Sequence, residues 1–202
     1  MRGFIMSDVQ QNLIKYYENV SNMALKNLKA EKSFQFRKML TNHSLLQVVQ
    51  SHYESISKSE EAKKMIKDYM SSMNGMYKSA RDDYNKTLKL LKATSDPIVK
   101  QRILDEYATR GIHGFTAKNG ARWNIETYSN MCTTHFNNEI TRLSVLENVP
   151  QDGKVQITTS SRPCPLCIPW ENKILTLQEL NYARSQGLFH VRCKHFAYPI
   201  RG

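Results

Sequence analysis

The chain of 202 residues is short of cysteine, with four, and of proline, with six, none before Pro97. Without proline, nothing forces a helix to break in the N-terminal stretch. No run of about 18 apolar residues occurs, which excludes a transmembrane helix. The start, Met1-Arg2-Gly3-Phe4-Ile5-Met6, is basic but lacks the apolar stretch of a signal peptide. A reducing or cytosolic origin is therefore expected, and it favours thiolate–metal chemistry over disulfides. Acidic residues are also few. Eighteen of them against 29 basic ones leave a net charge of +11 and a pI near 9.5. That balance is compatible with lying against nucleic acid. The lysines are spread along the chain, as a solvated helical surface would also give. No base-reading motif is visible, so any DNA contact is expected to ignore base sequence.

What is present is a lean apolar fraction of 40%, enough for a core, and an ordinary charged fraction of 23%. The length allows one or two domains. Residues 8 to about 55 read as helical, with Asp8 as a cap. Leu13, Tyr17, Val20, Ala24 and Leu28 recur at steps of three and four. A second apolar group follows: Phe34, Phe36, Met39, Leu40, Leu45, Leu46, Val48, Val49 and Tyr53. Ser57-Lys58-Ser59-Glu60 has the form of a capping box. After it comes the longest clean stripe: Ile66, Tyr69, Met73, Tyr77, Ala80, Tyr84, Leu88 and Leu91. A stripe of this kind needs a partner helix, so a hairpin or bundle is expected. Asp96-Pro97 marks a restart, an N-cap followed by proline at the first helical position. That helix is expected to end at Arg110-Gly111. The three glycines from Gly111 to Gly120 then predict a turn or short hairpin. A helix from Asn124 buries Ile125, Tyr128, Cys132, Phe136, Ile140 and Leu143. A short strand at Val155–Thr158, a capping box at Thr176-Leu177-Gln178-Glu179, a helix stop near Gly187 and a last strand at Phe196–Ile200 complete the pattern.

Three of the four cysteines and two of the six histidines fall between Cys164 and His195. They form two pairs, Cys164-Pro165-Leu166-Cys167 and His190-Val191-Arg192-Cys193, with 22 residues between the pairs. Two soft-ligand pairs on two turns suit one tetrahedral metal, and mixed Cys and His ligands suit zinc. The expected ligands are Cys164, Cys167, His190 and Cys193, with His195 able to replace His190. Four protein ligands leave no position for water, so the zinc is read as structural. Two other readings stay open. Cys-x-x-Cys can be a redox pair at a helix start, although Ile168-Pro169 would not open a long helix. The cysteines can also be plain buried side chains. Cys132 and His135 are three apart and could share a metal, but Cys132 reads first as core.

The stretches Gly114-Phe115-Thr116, Gly120 to Tyr128, Cys164 to Lys173 and His190 to His195, taken in that order, resemble the phage minor capsid protein 2 family. That family is related to the Mu F-like head morphogenesis proteins. The resemblance covers about residues 112 to 200. Two stretches depart from the family's pattern. Val191-Arg192 stands where Pro-Asn is usual, and Asn172 stands in the glycine place of Trp-x-Gly-Lys.

The resemblance implies a minor virion component of low copy number. It would associate with the portal in the procapsid, act in head morphogenesis, or accompany the DNA during packaging. Its place would be the capsid interior or portal vertex, with host cytoplasm during assembly. No enzyme is implied. Some relatives carry a toxin domain after this region; none is expected here, since the sequence stops at Gly202. The chain looks short for the family, which fits a compact member or a fragment.

The expected architecture is mainly α. Residues 1–110 form a helical hairpin or bundle, and residues 111–202 form a small α+β module stapled by zinc. The expected partners are the portal or other capsid proteins and, without sequence specificity, packaged DNA; no membrane is expected. The alternatives are a small zinc-containing nuclease or toxin, with His195, His190 or His113 acting on phosphate, and a sequence-independent DNA-binding protein. The nuclease needs an activated water and a general base. Only Glu171 and Glu179 lie between the ligand pairs.

Overall fold

The computed structural model describes residues 3–35, 47, 49–50, 58–109, 114–116 and 120–200. The chain divides into two compact units, each drawn from two stretches: Met1–Thr41 with Asp68–Thr133, and Asn42–Lys67 with Thr134–Gly202. The sequence reading cuts the chain once, near residue 110. Here two of the three boundaries, at 67/68 and 133/134, fall inside long helices, because a helix of such length can lend its two ends to different cores. The expected mainly helical class holds, with five α-helices among the described residues.

The first unit is built on α1 (Gly3–Lys29), most of α2 (Glu60–Lys92) and α3 (Pro97–Thr109). Every member of the α2 stripe from Ile66 to Leu91 is buried. Helix α2 starts with Glu60 and Glu61 and ends with Lys89 and Lys92, charges that complement its dipole at both ends. Ala24 and Leu28 of α1, Tyr84, Leu88 and Leu91 of α2, and Tyr107 of α3 form one buried cluster. The Tyr84 hydroxyl donates to the Lys32 carbonyl at 2.5 Å, and Tyr69 and Thr133 share a buried hydroxyl bond of 3.0 Å. Asp96 caps α3 as expected, its Oδ1 accepting from the Ile98 N–H at 2.8 Å. The expected hairpin is β1 (Gly114–Thr116) paired antiparallel with β2 (Arg122–Asn124). It feeds directly into α4 (Ile125–Leu146).

Several local expectations shift. Asp8 lies inside α1, which begins at Gly3, since no breaker separates the two. Helix α2 is capped by Ser59, whose Oγ accepts from the Ala62 N–H at 3.4 Å. Ser57, Arg110, Gly111 and His113 lie outside the described residues. Of the second apolar group, Phe34 is partly buried, Val49 is buried, and the rest lie outside the described residues.

The second unit holds a three-stranded antiparallel sheet in the order β4-β3-β5, from β3 (Lys154–Ile157), β4 (Ile174–Thr176) and β5 (Ala197–Pro199). Period-two alternation sends Val155, Ile157, Leu175 and Ala197 inward and Gln156, Ile174 and Tyr198 outward. The inward residues join Leu180, Ala183, Leu188, Phe189, Cys167 and Cys193 in one core. Two of the predicted ligands are thus themselves core residues. Helix α5 (Leu177–Ser185) opens with the expected capping box: Thr176 Oγ1 accepts from the Glu179 N–H at 3.2 Å, and Glu179 accepts from the Thr176 N–H at 2.8 Å. It closes with Gly187 at φ 102°, the Leu188 N–H on the Ala183 carbonyl (3.0 Å) and the Gly187 N–H on the Arg184 carbonyl (3.1 Å). This is the Schellman arrangement. A Cβ on Gly187 would also meet Leu166 Cδ1 at 3.2 Å, but the positive φ is what calls for glycine, since the Leu166 side chain is exposed and can shift.

Candidate metal centre

Two turns of the second unit carry the predicted ligands. In the first, the Cys167 and Ile168 N–H groups both donate to the Cys164 carbonyl, at 2.9 and 3.1 Å. The chain then enters a single 3-10 turn, Ile168–Trp170, for which Pro169 is suited. In the second, the Cys193 N–H donates to the His190 carbonyl at 2.8 Å, and Arg192 has φ 69°. A positive φ at the third position of a four-residue turn is a type II feature, and it favours Gly or Asn. Asn172, just past the first turn, has φ 60°, and Phe189, just before His190, has φ 65°. Of the three residues that depart from the family pattern, Asn172 and Arg192 are therefore left-handed and Val191 is not. The usual Gly and Asn there have a conformational reason.

The turns bring all five predicted donors together. The Cys164 sulfur lies 3.4 Å from the Cys167 sulfur and 2.9 Å from His190 Nε2. Cys167 and Cys193 Sγ are 3.6 Å apart, and Cys193 Sγ is 3.4 Å from His195 Nδ1. The donors form an arc, and buried Cys167 belongs to both close trios, Cys164-Cys167-His190 and Cys167-Cys193-His195. The cysteines are free thiols, with sulfurs far beyond the roughly 2.05 Å of a disulfide. Two sulfurs on one tetrahedral zinc, each about 2.3 Å from it, would lie about 3.8 Å apart, close to the separations seen. The donor types and spacings therefore fit a metal ion. Cys132 and His135 belong to neither trio. Cys132 is half-buried on α4, and burial raises its thiol pKa.

The thiols differ in their electrostatic surroundings. Burial pushes the Cys167 thiol up to about 12, reinforced by its hydrogen bonds to Cys164 and Cys193. Burial alone would also raise Cys164, but bonds from Cys167 and His190 bring it below its usual value. A buried thiolate beside a second one is costly unless a cation compensates it. A metal ion is such a cation.

Both imidazoles turn one nitrogen toward sulfur and have the other held. His190 Nδ1 bonds the Val191 carbonyl at 2.6 Å, and His195 Nε2 bonds Glu171 Oε1 at 2.7 Å. Glu171 also accepts from the Ser160 N–H at 2.8 Å. The His195 bond and the Ser160 bond hold its carboxyl below the usual range.

Sequence reasoning missed Arg142 on α4. Its guanidinium is buried and donates to the His195 carbonyl at 2.8 and 3.1 Å and to the Cys193 carbonyl at 3.3 Å. It pairs with Glu139 on the same helix, and Glu139 also takes a bond from Arg184 at 3.0 Å. The Arg142 guanidinium carbon lies 4.3 Å from the Phe189 ring centroid and 5.2 Å from that of Phe196. Burial pulls its pKa down, and the Glu139 charge opposes that. The only sequence signal was the i,i+3 spacing of Glu139 and Arg142, which an exposed helix pair shares.

A family model described as phage minor capsid protein 2 matches residues 4–200. No curated protein and no solved structure matches the chain. The match runs through the helical region as well as the Cys/His turns that suggested it. The chain belongs to the phage minor capsid protein 2 family, and so to the structural components of phage particles.

Proposed function

We propose that this family member is an assembly component of a phage or phage-like head, acting at the portal vertex or inside the capsid, with a structural zinc site in its second unit. The observation that carries this reading is the family match across both units, from residue 4 to residue 200. The helical unit supplies the docking surface for the portal or another capsid protein. In the second unit, Cys164, Cys167 and Cys193 would hold the ion together with one of the two imidazoles, His190 or His195. Bound zinc would supply a clamp between two turns of a unit whose sheet is too small to build much core alone. The net charge of +11 supports contact with packaged DNA through phosphates, without base reading. No catalysis belongs to this reading. Glu171, the carboxylate beside His195, is engaged with that ring and with the Ser160 N–H. It serves as a support rather than a free base.

Mass spectrometry and chemical cross-linking of purified particles test the assignment. Peptides of this chain should be present at low stoichiometry relative to the major capsid protein and should cross-link to the portal. Their absence from intact particles would overturn it.

A further inference from the structure

We propose that Glu171 is a positioning residue that fixes His195 as the permanent imidazole ligand of the metal centre, and that His190 is the exchangeable one. The inference rests on the metal reading above and decides between its two candidate rings.

The two histidines are placed alike but held differently. His195 is 2% exposed, so its ring is enclosed in the core of the unit. Its Nε2 lies 2.7 Å from Glu171 Oε1. A neutral imidazole that donates its Nε2 proton to a carboxylate presents a lone pair at Nδ1, and His195 Nδ1 is the atom facing Cys193 Sγ, at 3.4 Å. The backbone is fixed as well. The His195 N–H reaches Cys193 Sγ at 3.4 Å, and the His195 carbonyl takes two bonds from buried Arg142. Glu171 does not depend on His195 for its own position, since the Ser160 N–H holds the same oxygen at 2.8 Å. It follows the Cys164–Cys167 turn and ends the 3-10 segment, so it ties the first turn to the second.

His190 has no such frame. Its ring is half-buried, and its Nδ1 bonds the carbonyl of the next residue, Val191. That bond stays inside its own turn. Its sulfur neighbour, Cys164, is half-buried too, while Cys167 and Cys193 are buried. Carboxylate support of a ligating imidazole fixes its tautomer and raises its basicity, and losing such support typically costs about 10- to 100-fold in affinity. A ring held from two sides by core residues should therefore retain the ion, and one held only by its own turn should release it more readily.

The test uses the full-length protein loaded with zinc. Release to a chelating dye is timed for wild type, His190→Ala, His195→Ala and Glu171→Gln, and the cobalt-loaded forms are compared by their absorption spectra. Circular dichroism of each variant checks folding. His190→Ala should keep its ion and release it only a few-fold faster than wild type. His195→Ala should fail to retain the ion. Glu171→Gln keeps a hydrogen-bond acceptor but no charge, and should release zinc about 10- to 100-fold faster while folding normally. Should His195→Ala not fold, the Glu171→Gln rate decides alone. The reverse order, with His190→Ala losing the ion and Glu171→Gln indistinguishable from wild type, overturns the proposal and leaves the metal reading standing. A wild type that binds no zinc overturns both.

Discussion

The two units of this chain are held together by different physics. The helical unit buries a regular stripe: Tyr69, Met73, Tyr77, Ala80, Tyr84, Leu88 and Leu91 of α2, with Ala24 and Leu28 of α1 and Tyr107 of α3. Its stability is spread over many apolar side chains, each replaceable at a cost of a few kcal/mol. The second unit has a sheet of three short strands and a core that includes Cys167 and Cys193. Against that core lies a cluster of polar groups: three thiols, two imidazoles, Glu171 and the buried Arg142. A region of the first kind loses stability by degrees. On the metal reading proposed above, a region of the second kind depends on one ion and one guanidinium.

Removing the ion should give the largest contrast. Structural zinc contributes an apparent 10–16 kcal/mol or so in small zinc peptides. Chelation should therefore abolish amide hydrogen-exchange protection over residues 154–199 and leave it on α2 between Tyr69 and Leu91. Equal loss of protection in both regions would break the comparison.

Next in size is Arg142→Met. It leaves Glu139 with only Arg184, strips the His195 carbonyl of both its guanidinium bonds and leaves the Cys193 carbonyl with Asn138 Nδ2 at 3.3 Å. Breaking a buried ion pair costs about 3–5 kcal/mol. Denaturant unfolding followed by hydrogen exchange should show that loss in the second unit alone. Arg142→Lys should not restore it, since an ammonium cannot span both carbonyls as the guanidinium fork does.

A smaller effect should separate the units by pH. Burial lifts Tyr69 in the helical unit to about 12, against its Thr133 bond. The unfolded chain ionises from about pH 10, whereas the folded one keeps its proton until about pH 12. The Tyr69 contribution to stability should be complete below pH 10, fall between 10 and 12, and be gone above. By linkage the loss is on the order of 2–3 kcal/mol. Burial raises Tyr84 and Tyr107 of the same unit as well, so Tyr69→Phe should remove only the Tyr69 share of the slope, and an unchanged slope would remove Tyr69 as a contributor.

The smallest expected change is a gain. Arg192 at φ 69° carries a strain that asparagine or glycine bears more easily. Arg192→Asn should stabilise the second unit by about 1 kcal/mol and slow zinc release. A loss of stability would mean that the Arg192 side chain contributes more than its backbone costs.

The same contrast explains what the sequence made legible. The α2 stripe could be read because burial on a helix repeats at three and four residues, and no glycine or proline interrupts it except Gly75, where a Cβ would meet open space. The Cys/His cluster could be picked out because metal sites draw on few residue types at short spacings, and the fold brings these residues close. The supports could not. Glu139 and Arg142 have the spacing of an ordinary exposed pair, and only the packed structure shows the guanidinium facing the His195 carbonyl. Of the two carboxylates between the ligand pairs, Glu179 could be read as the far end of the Thr176 capping box, yet nothing local tells that Glu171 supports His195. The capping serine of α2 was misplaced by two residues because Ser57 and Ser59 both precede acceptable first turns. The division into units was hidden because α2 and α4 each serve two cores.

Metal content per chain is the most direct measurement. Elemental analysis of the purified full-length protein should find one zinc per chain in the wild type and none in Cys167→Ser, because Cys167 is the one thiol shared by both donor trios. A metal-free wild type, folded in both units with its three sulfurs still reduced, would contradict the central claim.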